Sequence, residues 1–437
     1  MIAMTPADIT PPMTTSRAQD IARSLDLRDL PADFYANPYP VYAALREQSP
    51  VHRLPDGAYF LTRYADLVTV YRDAQNFCSD KKLEFSPKYN VPPFDAAHPA
   101  PLFEHHTTSL VFNDPPLHTR VRKLIMGALT RRAIADLEPG LVTLVDHLLD
   151  QMQAQGGGDL IEDFASAIPV EIIGNLLGVP HADRTPLRAW SLAVLGALEP
   201  RLSPEQQAQG NQAVVDMLAY LKDLVAERRR RPGDPEHDVL TRLIQGESSG
   251  EQLTEVELLQ NCIFILNAGH ETTTNLIGNA LVALQEHAQA RDELLSKTQL
   301  LAQDSRGLEA YLTLAVDEFL RFESSNQLGN RRAVRACEVG GVNLPEGALV
   351  TLCIGAANRD PAQFDSPDVM RLDRENNRHL AFGFGIHQCA GLSLARLEGR
   401  IAIGRFLQRF PSYHLTDPPV RGGRVRFRGF LRAPFLL

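Results

Sequence analysis

The most informative absence from this 437-residue chain is a long apolar stretch. No run approaches the ~18 consecutive apolar residues that a membrane-spanning helix requires. The first residues, Met1–Pro12, also lack the basic and apolar regions of a secretory signal peptide. Together these two absences predict a protein of the cytoplasm that has no membrane anchor.

Cysteine is scarce, and basic residues do not predominate. The five cysteines are scattered and odd in number, which argues against a disulfide framework, and no Cys-x-x-Cys pair indicates zinc. The chain has 44 lysines and arginines against 53 aspartates and glutamates, a net charge of −9. Nucleic acid is therefore not expected as the main partner, because phosphate binding requires a basic surface. Four cysteines are expected to be small buried apolar residues: Cys78, Cys262, Cys337 and Cys353.

What the sequence does contain is a helix-rich pattern with a small β portion. Its 44% hydrophobic and 22% charged residues are ordinary for a globular protein. Helix signals dominate from Asp114 onward. They are strongest in four segments, 120–128, 133–152, 170–177 and 213–230. Ala58–Thr62 and Ala336–Ile354 instead carry the short β-type runs and turn residues of a small sheet. The sequence therefore predicts a mainly α fold.

The predicted domain organisation is simple. Residues 1–25 are rich in proline and threonine and are expected to be flexible. No linker composition interrupts residues 26–437, so this stretch is expected to form one domain. Residues 81–110 carry several prolines without sustained periodicity, which predicts a long loop of the kind that often serves a function. Its adjacent His105 and His106 are interpreted as part of a solvated loop, since neighbouring side chains rarely converge on one metal ion.

One short segment concentrates the chemistry. Residues 382–391 read Phe-Gly-Phe-Gly-Ile-His-Gln-Cys-Ala-Gly, directly before a helix-like stretch, Leu392–Phe406. Gly383 and Gly385 allow backbone angles that a Cβ would forbid, and their N–H groups are then able to point at the sulfur of Cys389 and tune a metal–thiolate bond. The positive N-terminus of the following helix is expected to lower the pKa of the thiol. The segment suits one thiolate ligand, and the alternative is a buried cysteine in a glycine-rich turn.

This segment resembles the haem-binding loop of the cytochrome P-450 family, whose pattern is Phe-x-x-Gly-x-x-x-Cys-x-Gly. Phe382, Gly385, Cys389 and Gly391 occupy every fixed position. The resemblance implies haem b as the cofactor, with Cys389 as the axial thiolate that favours O–O cleavage and with Phe382 and Gly383 against the haem. It also implies the cytochrome P-450 fold, a helical prism that holds haem between a long distal helix and the proximal cysteine loop.

A second motif lies inside a long predicted helix, Thr254–His287, which begins with a capping box of Thr254 and Glu257. Its middle is apolar nearly all round, yet residues 268–273 read Ala-Gly-His-Glu-Thr-Thr. A glycine, a carboxylate and hydroxyls are costly in a buried helix, and sequences often accept that cost at a working site. From the residues alone, a helix kink with a solvated Glu271 is an equally good interpretation.

The same residues resemble the distal-helix pattern of the P-450 family, Ala/Gly-Gly-x-Asp/Glu-Thr-Thr. The resemblance implies that small Ala268 and Gly269 let haem and O2 approach. It also implies that Thr272 and Glu271 are catalytic and serve oxygen activation and proton delivery. His270 occupies the variable position and is assigned no role.

Glu318-Phe319-Leu320-Arg321 places an acid and a base on one helical face. An isolated pair of this kind is usually a surface ion pair worth ~0–1 kcal/mol. In the P-450 family, however, a buried Glu-x-x-Arg pair precedes the cysteine loop and binds a later arginine in a meandering segment. The resemblance therefore implies a structural triad of Glu318, Arg321 and Arg374 behind the haem, with no catalytic step.

The two propionates of haem require cationic partners when they are buried. The Asp-Pro-Pro-x-His-Thr-x-x-Arg pattern of bacterial P-450s is matched here, and its His118 and Arg122 lie one helical turn apart. The resemblance adds Arg331, with Arg332 as a one-residue alternative. It also adds His387, two residues before the cysteine. These positions are predicted to hold the propionates.

The segment that normally lines the substrate pocket departs from the family pattern. The family usually shows Glu-Ser/Thr-Pro after Glu-x-x-Arg, whereas residues 323–327 read Glu-Ser-Ser-Asn-Gln. Its polar side chains either form a pocket wall or face the backbone. The predicted pocket residues are Phe85, Phe103, Leu110, Leu266, Gln327 and Asn330, with Val334 as a further apolar candidate. The predicted substrate is a small, largely apolar organic molecule.

The implied reaction is monooxygenation, in which O2, two electrons and two protons oxidise the substrate. The sequence shows no flavin or iron–sulfur segment after the haem loop, so a separate ferredoxin and its NAD(P)H-dependent reductase are the expected electron donors. Their predicted docking face consists of Arg120, Lys123, Arg131 and Arg132. Two alternatives are a peroxide-driven haem-thiolate peroxygenase and a non-catalytic haem protein that binds a ligand. The intact Glu271–Thr272 pair weighs against both.

Overall fold

Helices dominate the computed structural model, which describes residues 13–91, 100–246 and 252–437. The α-helices of these residues are α1 (Thr15–Arg23), α2 (Ala32–Ala36), α3 (Tyr39–Gln48), α4 (Tyr64–Arg72), α5 (Lys82–Lys88), α6 (Pro101–Thr108), α7 (Leu117–Ala128), α8 (Arg131–Ala135), α9 (Glu138–Gln155), α10 (Ala167–Leu177), α11 (Leu187–Gly196), α12 (Pro204–Arg230), α13 (Val239–Gln245), α14 (Glu255–Glu286), α15 (Ala288–Leu300), α16 (Ser305–Phe322), α17 (Ile354–Ala357) and α18 (Leu392–Arg409). The prediction of a mainly α fold is confirmed.

Short strands make up the β portion. They are β1 (Val51–Arg53), β2 (Tyr59–Leu61), β3 (Phe77–Cys78), β4 (Gly157–Asp159), β5 (Leu328–Ala333), β6 (Cys337–Val339), β7 (Val342–Leu344), β8 (Leu349–Cys353), β9 (His414–Leu415), β10 (Val420–Arg421), β11 (Phe430–Arg432) and β12 (Pro434–Leu436). One sheet has the order β1-β2-β8-β5-β3, in which only β2 and β8 run parallel. The strands predicted near residues 58–62 and 336–354 are therefore confirmed.

The 32-residue helix α14 passes through the main hydrophobic cluster. Its start is the predicted capping box, in which the N–H of Glu257 donates to Thr254 Oγ1 at 3.2 Å and the N–H of Thr254 donates to Glu257 Oε2 at 2.8 Å. The helix packs against α10, α11, α12 and α18. Each apolar side chain that it buries contributes roughly 1.5–3 kcal/mol. No helix in the described ranges is long and apolar enough to cross a membrane.

The prediction of a long loop at 81–110 is wrong for the residues that the structure describes. Lys82–Lys88 form α5 and Pro101–Thr108 form α6, whereas residues 92–99 lie outside the described ranges. Proline misled the prediction, because Pro101 occupies the first turn of α6, where a missing N–H breaks no helical hydrogen bond. The segment is mostly helical where it is described.

His105 and His106 also correct the sequence interpretation. Both lie on α6 and are buried, instead of lying in a solvated loop. His105 Nδ1 is hydrogen-bonded to Gln260 Oε1 at 3.0 Å, and His106 Nδ1 to the hydroxyl of Tyr89 at 2.7 Å. Burial lowers the pKa of both histidines, to about 4 for His105. The two rings are neutral parts of the core at neutral pH.

The structure changes two boundaries that the sequence predicted, one of a helix and one of the N-terminal flexible segment. The helix expected at 133–152 is divided into α8 and α9, because Pro139 begins the second helix and cannot continue the first. Residues 15–23 form α1, whose Ala18, Ile21 and Ala22 are buried and which packs against α3. The flexible segment expected at 1–25 therefore does not include α1.

Candidate active site

The cysteine loop is held by its own backbone. Gly383 and Gly385 have φ angles of +65° and +73°, which residues with a Cβ rarely adopt. A Cβ on Gly385 would lie 2.5 Å from the carbonyl oxygen of Tyr71 on α4, so only glycine fits there. The N–H of Cys389 donates to the carbonyl oxygen of Phe382 at 2.8 Å. The loop is thus closed directly before α18.

The thiol of Cys389 is under opposing influences. Burial raises the pKa of the thiol. The N–H of Gly391 and the charges of Arg122 and Arg396 lower that pKa, but the effect of burial is larger. The residue nevertheless keeps accessible surface. The expected lowering of the thiol pKa is wrong for the free thiol, and the N–H of Gly383 is used within the loop backbone. Coordination to a metal would deprotonate the thiol regardless.

Four basic side chains from three separate parts of the chain converge beside this loop. The ring centroids of His118 on α7 and His387 are 4.1 Å apart. Arg122, one turn after His118, donates from Nη2 to the carbonyl oxygen of Gln388 at 2.7 Å. Arg331 lies on β5. The pKa of His387 is lowered to about 2, first by burial and then by the other three basic groups. All four predicted propionate partners are therefore within electrostatic reach of one another.

This cluster fits a dianionic group. Both ring nitrogens of His118 are buried without a hydrogen-bond partner, which costs free energy unless a ligand provides one. Asp114 offsets part of the charge around His118. Its carboxylate, however, accepts the N–H groups of Ser79 and Asp80 at 2.8 and 3.0 Å. Two guanidinium groups, with two imidazoles that can donate hydrogen bonds, match the propionates of haem.

Arg331, and not Arg332, faces this cluster. The two residues are consecutive on β5, so their side chains point to opposite faces. The guanidinium of Arg331 lies 5.2 Å from the ring centroid of Tyr71, and its charge acts on both histidines of the cluster. Arg332 is paired with Cys78 on β3, and its charge acts on that thiol. The geometry favours the first of the two arginines.

One face of α14 is accessible although the helix around it is buried. Phe264, Ala268, Gly269 and Thr272 are only partly buried, and their spacing places them on one face. The hydroxyl of Thr272 donates to the carbonyl oxygen of Ala268 at 2.8 Å. A Cβ on Gly269 would lie 2.9 Å from Cδ1 of Ile173 on α10, so a larger residue there would displace the end of that side chain. Gly269 therefore allows α10 to pack closely, and Ala268 and Thr272 keep the partly buried face of α14 small.

Glu271 lies beside this face but is buried. Burial raises its pKa to about 7, even though Arg424 Nη1 donates to its Oε1 at 2.5 Å. Its other oxygen, Oε2, has no hydrogen-bond partner. Arg424 also donates from Nη2 to the carbonyl oxygen of Leu192 on α11 at 3.1 Å. A carboxyl group that titrates near neutrality and has one available oxygen is suited to accepting and releasing a proton.

Glu318, Arg321 and Arg374 form a buried ionic network. Arg321 donates from Nε and Nη2 to the two carboxylate oxygens of Glu318, both at 2.8 Å, and Arg374 Nε donates to Oε2 at 3.0 Å. The side chains of Glu318 and Arg321 have no solvent exposure. The network joins α16 to the segment that leads to the cysteine loop, which fits a structural role.

The apolar pocket candidates lie near α14. Phe85, Leu110 and Leu266 are buried, and Phe103 is a partly buried residue packed against the same cluster. The N–H of Leu110 donates to Oδ1 of Asn261 on α14 at 3.0 Å, which attaches the segment after α6 to the distal helix.

The polar pocket candidates differ from one another. Gln327 donates from Nε2 to the carbonyl oxygen of Ser324 at 2.8 Å and lies tightly against Gly355, so its side chain faces the backbone. Asn330 is partly buried and accepts a hydrogen bond from Arg426 Nη2 at 2.6 Å. Val334 is exposed and does not line an inner pocket.

The predicted docking face is only partly supported. Arg120 forms an ion pair with Glu257 and donates to the carbonyl oxygen of Gln252 at 3.1 Å, so its charge is already used. Lys123 and Arg132 are exposed. The side chain of Arg131 lies outside what the structure describes.

Sequence reasoning missed the loop between β10 and β11, which carries Arg424 and Arg426. The available signal was local composition, because residues 421–428 read Arg-Gly-Gly-Arg-Val-Arg-Phe-Arg in an otherwise acidic chain. Nothing in that run indicates that its arginines reach α14 and β5. Only the tertiary contacts reveal this.

Comparison with known proteins agrees with this geometry. The family model of cytochrome P450 matches residues 193–426. The chain is 35% identical over 389 residues to the biotin biosynthesis cytochrome P450 of Bacillus subtilis (strain 168), which covers 88% of this chain and 92% of that protein. It is 37% identical over 410 residues to the vitamin D(3) 25-hydroxylase of Pseudonocardia autotrophica, with 92% and 94% covered. The crystal structure of P450BioI in complex with hexadec-9Z-enoic acid ligated acyl carrier protein superposes with a TM-score of 0.83 at 33% identity, over 93% of this chain and 100% of that chain.

The chain belongs to the cytochrome P450 family. It is therefore a haem monooxygenase with iron protoporphyrin IX as its cofactor, as the resemblance of its motifs implied. Among the described residues, no group of three or more His, Cys, Asp or Glu side chains is arranged to hold a metal ion.

Proposed function

We propose that the protein activates O2 with two electrons from a separate ferredoxin and its NAD(P)H-dependent reductase. In this proposal it hydroxylates or otherwise oxidises a small, largely apolar substrate. The observation that carries the proposal is the pairing of Thr272, on the accessible face of α14, with the neighbouring buried carboxyl group of Glu271. We further propose that it acts in the cytoplasm.

In this proposal Cys389 is the ligand of the haem iron, and four basic residues bind the propionates. These are His118, Arg122, Arg331 and His387. Phe382, Gly383, Ala268 and Gly269 would lie beside the haem. When bound, haem supplies the binding and reductive activation of O2, which a thiolate ligand favours. The convergence of the basic side chains supports their assignment.

Proton delivery is assigned to Thr272 and Glu271. The hydroxyl of Thr272 lies on the accessible face of α14 and is bonded to the carbonyl oxygen of Ala268, so it is able to hold water or oxygen there. Glu271 keeps Oε2 free for a proton, and its pKa of about 7 allows both protonation states at neutral pH. Arg424 holds the other oxygen and orients the carboxyl group.

The substrate is assigned to the region of α14, α5, α6 and Leu110. Phe85, Phe103, Leu110 and Leu266 provide apolar surface there, which excludes water and favours an apolar substrate. Asn330 provides a polar edge on β5. Lys123 and Arg132 remain the exposed candidates for docking an acidic ferredoxin.

Two measurements on the haem-loaded protein test the proposal. The reduced protein under carbon monoxide is expected to show the Soret band of a thiolate-ligated haem. Substrate oxidation is expected to be faster with a ferredoxin, its reductase and NAD(P)H than with hydrogen peroxide. Equal or faster turnover with peroxide would favour the peroxygenase alternative, and a spectrum of imidazole ligation would refute the assignment of Cys389.

A further inference from the structure

The loop between β10 and β11 brings a cationic side chain beside the proposed pocket. Arg426 donates from Nη2 to Oδ1 of Asn330 at 2.6 Å and from Nη1 to the carbonyl oxygen of Leu328 at 2.8 Å, both on β5. Its Nε donates to the carbonyl oxygen of Leu198, between α11 and α12, at 3.3 Å. Because β5 also carries Arg331, Arg426 is bonded to the strand that borders the proposed haem site.

A second cation, Lys88 on α5, lies at the same place. Its Nζ donates to the carbonyl oxygen of Glu199 at 2.7 Å, again between α11 and α12. The pKa of Lys88 is lowered to about 8, first by burial and then by the charge of Arg426, so the two cations repel each other. Within the described residues, the side-chain hydrogen bonds of both go to carbonyl and amide oxygens and none goes to a carboxylate.

Two nearby carboxylates are already engaged. Glu84 accepts from Lys81 Nζ at 2.7 Å, and Lys81 is itself buried. The carboxylate of Glu199 accepts the consecutive backbone N–H groups of residues 425–427 at distances from 2.9 to 3.4 Å. With the two cations above, this cluster holds three cations and two carboxylates, which leaves one positive charge in excess.

The cluster is not fully enclosed. Lys88, Asn330 and Arg426 are only partly buried. The Nζ of Lys88 lies 5.7 Å from the ring centroid of Phe85, a buried side chain that is one of the proposed pocket residues. The excess positive charge therefore stands next to apolar side chains.

We propose that Lys88, Arg426 and Asn330 bind the carboxylate of an acidic substrate whose apolar part lies along Phe85 and the face of α14. This deepens the proposed monooxygenase function and rests on it. A carboxylate would gain charge-assisted hydrogen bonds from the planar guanidinium and the ammonium group, which are stronger than neutral ones. A neutral ester of the same shape lacks the charge, and an amine would be repelled.

The experiment is a set of spectral titrations on the full-length haem-loaded protein, repeated by calorimetry. The probes are pairs of a carboxylic acid and its methyl ester, straight-chain from octanoic to hexadecanoic acid and also aromatic. The N-acetylcysteamine thioester of each straight-chain acid stands in for an acyl group bound to a carrier protein. The variants are Arg426→Gln and Lys88→Gln. Lys82→Gln on the same helix is the matched control, since Lys82 is 62% exposed.

The acid is expected to bind at least about tenfold more tightly than its ester, because a charge-assisted hydrogen bond contributes on the order of one such factor. Arg426→Gln and Lys88→Gln are each expected to remove roughly tenfold of that preference, and Lys82→Gln none. Arg426→Lys, which keeps the charge, is expected to keep most of the preference and covers the case in which Arg426→Gln does not fold.

Three results would overturn this inference. The first is that esters bind as tightly as their acids across all pairs. The second is that Arg426→Gln and Lys88→Gln leave the preference for the acid unchanged. The third is that thioesters bind more tightly than the free acids, which would indicate a carrier-bound substrate. A normal thiolate spectrum in each case would show that only the assignment of the acid site has failed, whereas loss of that spectrum in the unaltered protein would count against the proposed function itself.

Discussion

The two sides of the proposed haem site are built in different ways. On the proximal side, ten consecutive residues, 382–391, supply the candidate ligand, two glycine turns and one basic contact. On the distal side, Glu271 of α14 depends on Arg424 from the loop between β10 and β11, and that arginine is held by Leu192 on α11. The proposed ligand is thus encoded locally, whereas the groups proposed for proton delivery and specificity come from segments far apart in the chain.

The two sides also differ in how firmly they are held. Behind the proximal loop, Glu318 and Arg321 form a bidentate pair without solvent exposure. On the distal side, the side chains of Lys88, Arg424 and Arg426 each donate one hydrogen bond to the α11–α12 region, and these side chains are partly exposed. Contacts of the second kind open at lower free energy, so the distal side is the one expected to move when a substrate binds.

The largest effect is expected at the thiolate. Cys389→Ser removes the only proximal sulfur in the loop, so the thiolate Soret band under carbon monoxide and substrate oxidation should both disappear. Cys337→Ser on β6 is the matched control, because Cys337 lies in the β6–β7 hairpin and should leave both readouts unchanged. A thiolate spectrum in Cys389→Ser would refute the local origin of the ligand.

The next effect concerns the stability of the proximal side. Glu318→Gln leaves Arg321 and Arg374 buried without their carboxylate and should lower the free energy of unfolding by roughly 3–5 kcal/mol. Glu309→Gln, on the same helix, breaks a more exposed pair with Arg400 and should cost only about 0–1 kcal/mol. Urea denaturation of both variants measures the difference. Equal losses would contradict the structural role of the triad.

A smaller but catalytic effect is expected at the distal helix. Thr272→Ala should lower the amount of product per electron pair by about tenfold or more and divert reduced oxygen to hydrogen peroxide, because the proton-delivering hydroxyl is removed. Thr274→Ala removes a similar hydroxyl, bonded to the carbonyl oxygen of His270 at 3.0 Å but on a buried part of the helix. Product and peroxide are measured together. An effect as large in Thr274→Ala would point to helix geometry as the cause.

The smallest expected effect is a shift in pH dependence. The positive charge of Arg424 lowers the pKa of Glu271, and burial, which raises it, remains when the arginine is replaced. Arg424→Gln should therefore move the inflection in product formation upward from near pH 7 by about one unit or more. Arg432→Gln on β11, with a side chain that is 66% exposed, is the control. An unchanged inflection would mean that Glu271 is not the titrating group.

Much of the fold followed from local signals. The capping box of Thr254 and Glu257 correctly placed the start of α14, because a cap depends on residues three apart. The prediction of a loop at 81–110 was wrong because the structure of this segment depends on non-local contacts. Its helices α5 and α6 contain prolines and bury polar His105 and His106, so burial and not local propensity decides their structure. The division between α8 and α9 was missed because Pro139 starts a helix as readily as it ends one.

The sequence by itself, through short motifs that resemble those of the P-450 family, indicated the ligand loop, the distal Glu271–Thr272 pair and His118. It left Arg331 and Arg332 as alternatives, and only the tertiary structure favours Arg331. Only the tertiary structure decided that Gln327 faces the backbone, that Arg424 holds Glu271, and that Lys88 and Arg426 meet beside Asn330. The contact of Arg424 with Glu271 joins residues 153 positions apart, and that of Arg426 with Asn330 joins residues 96 apart. Such groups interact strongly only once folding has brought them together and removed the water between them.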